Sequence, residues 1–127
     1  MFTHVMLGSN DLDKAKIFYD AVLGELGHEP GVVDDKGRVF YFSQYGTFAL
    51  TKPIDGVDAS CGNGETIGFR AESPEHADAW HKAGLAAGGT AIENPPGIRE
   101  NAGRKLYIAY LRDPDGHKVC AMHRLKS

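Results

Sequence analysis

Apolar and polar positions along this chain change period several times, and the changes mark out a strand, a helix and three strands, twice over. Phe2 to Leu7 carries Phe, Thr and Val over a stretch too short for a helix and predicts a strand. From Leu12 the period becomes helical. Leu12, Ala15, Phe18 and Val22 fall on one face, Asn10 or Asp11 can cap the start, and Gly24 suits the left-handed residue after the end. Strands are predicted next at 29–34, which is weak, at 38–44 and at 47–51, with turns at Lys36-Gly37 and Tyr45-Gly46. Pro53 to Gly64 offers Gly, Pro, Asp, Ser and Asn and little to pack, so it is read as a linker.

The order then recurs. A strand is predicted at 66–71, followed by a helix capped by Ser73, opened by Pro74, running to Ala87 and stopped by Gly88-Gly89. Its apolar stripe is Ala77, Trp80, Ala83 and Ala87. A weak strand at 90–93, a strong one at 106–111, the turn Asp113-Pro114-Asp115-Gly116 and a strand at 118–122 complete the second set. Pro95 to Arg104 is long for a connection and is read as a loop, either a lid over a cleft or a surface loop. Shifting the chain by 62 positions lays Leu7 on Phe69, Asp11 on Ser73, Asp13 on Glu75, Ala15 on Ala77 and Phe18 on Trp80. Such internal repetition is an architectural signal.

Two stretches carry a resemblance. His4 to Gly24 contains Phe18-Tyr19 and then Leu23-Gly24, and Tyr110 to Val119 contains the Asp-Pro-Asp-Gly turn before the last strand. With the repeat, they make the chain similar to the vicinal oxygen chelate superfamily, the glyoxalase/bleomycin resistance protein/dioxygenase family. The resemblance implies an α+β fold in one domain, 1–127: two βαβββ modules, at 1–53 and 64–125, joined by a linker at 54–63. The modules are expected to form an open half-barrel sheet with a concave cleft and the helices on the convex side. It also implies a homodimer, since an open half-barrel leaves sheet edges to be covered.

Members of that family place up to four metal ligands on the concave face, usually a His on the first strand of each module and a carboxylate on the last. Carried over by position, these fall on His4, Thr66, Ala49 and Cys120. A divalent metal in a cleft generally needs at least three protein donors. One imidazole, one soft sulfur, one weak hydroxyl and a methyl group do not supply them, so no metal and no other cofactor is expected, although a metal at His4 alone is conceivable. Glu65 adjoins Thr66, but strand alternation aims it at the opposite face.

Composition narrows the function further. Charged residues make up 24% of the 127 residues and the net charge is −3 with no like-charged run, so nucleic acid and anionic membrane surfaces are not expected partners. No apolar stretch reaches the roughly 18 residues of a membrane span, and a cytoplasmic protein is expected. Cys61 and Cys120 form no CxxC pair and predict no disulfide. His28, His76, His81, His117 and His123 are assigned no role.

His4 and Cys120 are the catalytic candidates, the first as a base or hydrogen-bond donor, the second as a thiolate if a cation lies near. The ligand-binding candidates are His4, Ala49, Thr66, Gly68, Arg70, Cys120 and Met122. Thr66, Gly68 and Arg70 share one face of an unbulged strand, where Arg70 can fork onto a carboxylate or phosphate. Tyr41, Tyr107 and Tyr110 can line an apolar pocket or fill core. Three functions compete. The first binds or transforms a small organic molecule without a firmly held metal; the second is a metal-dependent lyase resembling lactoylglutathione lyase; the third is a protein interaction module with a vestigial cleft. A lyase or isomerase of the glyoxalase type is favoured over an iron dioxygenase if the chain is an enzyme.

Overall fold

Both helices begin where their capping residues allow. In the computed structural model, which describes residues 1–126, the Asp11 carboxylate accepts the Lys14 N–H at 3.1 Å and opens helix α1 (Leu12–Glu25). Ser73 accepts the His76 N–H at 3.1 Å and opens α2 (Pro74–Ala86), with Pro74 in the first turn. Gly88 (φ 103°) ends α2 as expected, but α1 runs past Gly24, and Gly27 (φ 93°) takes the left-handed position instead. The extension past Gly24 carries Leu26, the residue that caps α1, against the core, which offsets the weak helix propensity of Gly24.

The first sheet has the order β1 (His4–Gly8), β4 (Gly46–Thr51), β3 (Val39–Ser43), β2 (Val32–Val33). Its counterpart runs β5 (Ile67–Arg70), β9 (Lys118–Arg124), β8 (Arg104–Arg112), β6 (Thr90–Ala91), with β7 (Gly97–Asn101) also paired to β8. The repeat is visible in the register. Parallel pairing sets Met6 opposite Ala49 in the first sheet and Gly68 opposite Cys120 in the second. Neither sheet closes on itself, and the fold is an open α+β half-barrel.

The segment expected to be a loop or lid is instead the hairpin β7–β8. Ala102 (φ 52°) and Gly103 (φ 76°) make its two-residue turn, in which both central residues have positive φ. Arg99, Glu100 and Asn101 gave no apolar alternation, and Ala-Gly is a weaker turn signal than Asn-Gly, so the strand was hidden.

The helices lie against one face of each sheet and against each other. Phe18, Tyr19, Val22 and Leu23 of α1 and Ala77 and Trp80 of α2 are buried with Leu7, Val39, Phe48, Leu50, Leu111 and Val119. The stripe on α2 differs from expectation: Ala83 and Ala87 are only half-buried, and the buried residue is Gly84. A Cβ on Gly84 would stand 2.2 Å from Leu111 Cδ1 and 3.0 Å from Val22 Cγ1, so hydrogen at this position lets α1 and the second sheet approach.

The Asp-Pro-Asp-Gly turn couples the two halves. Tyr19 Oη donates to Asp113 Oδ2 at 2.6 Å, while Asp113 Oδ1 accepts the N–H groups of Asp115 and His117, each at 2.9 Å. His117, expected to have no role, is buried, and its Nε2 donates to the Gly8 carbonyl at 2.7 Å. A buried carboxylate thus meets three donors, as burial requires.

Candidate functional site

Residues opposite one another in register share a face, so the pairing lists the open face of each sheet, the one turned from the helices. On the first sheet it carries the row Met6, Ala49, Phe40 and Val32, with His4, Thr47 and Phe42 beside it. Phe40 and Phe42 stack at 5.9 Å, and Phe42 and Val32 are exposed. This wall is apolar.

On the second sheet the rows are Gly68, Cys120, Tyr110; then Arg70, Met122, Ile108, Gly97; then Arg124, Leu106, Arg99 at one end and Lys118, Arg112, Thr90 at the other. An apolar band therefore lies between two cationic ends. A cavity of about 500 Å³ opens on this face, lined by Gly68, Arg70, Cys120 and Met122 together with Glu72 and Arg124. Glycine at position 68 keeps it open: a Cβ there would approach Cys120 Sγ to 3.2 Å.

Four of the seven sequence-nominated residues thus meet in one pocket, and three do not. His4 is exposed on the first sheet, where its Nδ1 shares a 2.9 Å hydrogen bond with Thr3 Oγ1, and Ala49 is buried under Met6 and Phe40. Thr66 precedes β5 by one residue and is exposed. Within one chain the four family ligand positions are divided between two sheets. Sequence equivalence identified corresponding positions but not which faces oppose.

Burial pushes the Cys120 thiol up to about 11, more than nearby Lys118 pulls it down, so at neutral pH it is a protonated, soft surface and not a thiolate. With Ala49 offering no donor and Thr66 outside the strand, these residues do not fit a family-type metal. Among the described residues no three His, Cys, Asp or Glu side chains gather to hold one.

The tyrosines divide. Tyr41 is core, its hydroxyl donating to Asp20 at 2.8 Å, and Tyr107 donates to Asp78 at 2.7 Å on the helix side. Tyr110 alone stands in the open face, with Lys118 Nζ 4.8 Å and the Arg99 guanidinium 5.9 Å from its ring centre. Arg99 also donates to the carbonyls of Pro95 and Asn94, and Lys118 pairs with Glu93. Arg70 lies 5.1 Å from the Tyr45 ring centre. Sequence reasoning missed Arg124 and Lys118, although stepping by two from Cys120 would have reached both.

A second cavity of about 460 Å³ lies between the modules on the helix side, walled by Val5, Tyr41, Phe48 and Phe69, with exposed Phe2 and Tyr45 at its rim. Arg70 borders both spaces. Among the described residues no helix is long and apolar enough to cross a membrane.

Comparison with solved structures gives a glyoxalase/bleomycin resistance protein from Albidiferax ferrireducens T118 at 60% identity and TM-score 0.95, covering 98% of this chain and 99% of that one. The lactoylglutathione lyase of Agrobacterium tumefaciens matches at 22% identity and TM-score 0.64 (97% and 92% covered). A putative glyoxalase from Bacillus halodurans matches at 20% and TM-score 0.76 (97% and 95% covered). The last two likenesses concern the fold alone. No curated protein matches the sequence. The family model Glyoxalase/Bleomycin resistance protein/Dioxygenase superfamily matches residues 1–121, and the chain belongs to that superfamily.

Proposed function

We propose that this protein binds, and in binding positions for reaction, a small organic molecule on the open face of its second sheet, without a resident metal of the family type. The observation that carries the reading is the pocket itself: about 500 Å³, within the size range of small-molecule sites, and lined by Gly68, Arg70, Cys120 and Met122. A vestigial cleft would be expected to fill with side chains, and Gly68 does the opposite.

A second copy of the chain completes the cleft in this reading. Strands β1 and β5 are sheet edges, and the first sheet's open face leaves Met6, Phe42 and Val32 to water. Covering such edges and such a patch is a strong reason to dimerise. The apolar wall of one copy then faces the cation-ended wall of the other.

The test is ligand-observed NMR with aromatic fragments on wild type and on Gly68→Phe, which fills the pocket. Loss of binding in the variant with unchanged circular dichroism is the expected result; equal binding by both would refute the site. The metal-free part is checked by titrating Zn²⁺ and Ni²⁺ into wild type and into Thr66→His/Cys120→Glu. Gain of affinity only in the double variant is expected, and tight stoichiometric binding by wild type would contradict it.

A further inference from the structure

The chain carries a net charge of −3, yet the open face of the second sheet bears Arg70, Arg99, Arg112, Lys118 and Arg124. The carboxylates at this face are Glu93, already paired with Lys118, and Glu72 at the pocket edge. The cations are not equivalent. Arg99 is held by two carbonyls, Arg112 donates to the Gly116 carbonyl at 2.8 Å, and Lys118 has its carboxylate. Arg70 and Arg124 form no ion pair among the described residues, and both line the same end of the cavity, next to Met122.

We infer that the ligand of this pocket is an anion: an apolar or aromatic body carrying one carboxylate or phosphate group, which Arg70 and Arg124 hold. This deepens the binding reading above and rests on it. The body lies along Met122, Ile108, Cys120 and Tyr110, whose thiol and phenol are neutral at pH 7 and repel no anion. The charged end meets two guanidinium groups, the side chains best shaped for planar, two-pronged hydrogen bonding to oxyanions. Arg70 rests on the Tyr45 ring, a contact that fixes a guanidinium without consuming its donors in an ion pair.

The experiment compares phenylacetate, phenylacetamide and phenyl phosphate as probes, followed by amide shifts of labelled wild type, Arg70→Gln and Arg124→Gln. Phenylacetate or phenyl phosphate is expected to bind at least about tenfold more tightly than the amide, since hydrogen bonds to a charged partner contribute more than those to a neutral one. Whichever anion binds better identifies carboxylate or phosphate as the charged group. Each Arg→Gln variant should lower the anion's affinity toward that of the amide and so shrink the preference for the anion. Equal binding of anion and amide, with shifts still centred on Cys120 and Met122, would overturn the anion assignment and leave the pocket standing. Shifts from no probe, or shifts elsewhere, would overturn both. The wild-type comparison decides the matter even if a variant folds poorly.

Discussion

The two sheets share strand order and register but present opposite chemistry on their open faces. Met6, Ala49, Phe40, Phe42 and Val32 make the first an apolar wall, whereas the second sets Cys120, Met122 and Tyr110 between cationic ends. The comparison separates what the repeat preserves from what it releases. Helix-facing positions stay equivalent, Leu7 with Phe69 and Phe18 with Trp80, because one close-packed layer must fill the space between the sheets. Open-face positions have no such constraint, and that is where the two halves diverge.

The largest effect should come from breaking the shared layer. Trp80 is fully buried, and Trp80→Ala should cost about 3 to 5 kcal/mol in urea unfolding. A loss below about 1 kcal/mol would mean that the sheets stand independently of α2. Trp80→Phe should cost less, since the indole N–H is buried without a partner.

The joint between the halves comes next. Tyr19→Phe removes the hydroxyl that meets Asp113, and such buried hydrogen bonds to charged groups contribute roughly 1.5 to 3 kcal/mol. Burial holds the Asp113 carboxyl above its usual range, against the donors Tyr19, His117 and Asp115. A raised folded-state pKa gives a contribution fully present below the unfolded value near 4, lost as pH rises through the folded value. Asp113→Asn lacks that loss, so its stability relative to wild type should improve between pH 3 and pH 7. Urea melts across that range check it, and a flat or falling difference would remove Asp113 from the joint's electrostatics.

A smaller effect distinguishes the two cysteines. Cys120 should react slowly with iodoacetamide from pH 7 to 9 and accelerate only toward pH 11, while exposed Cys61 is labelled first. Rapid labelling of Cys120 at pH 7 would restore it as a thiolate candidate.

Much of this was legible in the sequence, for physical reasons. Cap residues and the 62-residue repeat fixed both helices and the strand order, because local hydrogen bonding and apolar period act at short range. The strand β7 was illegible because an edge strand with Arg99, Glu100 and Asn101 need not alternate. Gly84 was missed because its value lies in a close approach of α1 and Leu111, which no local pattern records. The same holds for the site. Alternation found Gly68 and Arg70, and equivalence with the family's ligand positions found Cys120, but the separation of His4 and Ala49 from them depends on how the two halves pack.

Amide-shift mapping of phenylacetate binding on the labelled protein tests the division of labour between the two sheets most directly. Shifts should centre on Gly68, Arg70, Cys120 and Met122, with smaller changes at Met6 and Phe42 where the proposed second copy supplies the facing wall. Shifts confined to Met6, Ala49 and Phe42, or to Val5, Phe48 and Phe69 in the inter-module cavity, would contradict the assignment of the second sheet as the binding wall.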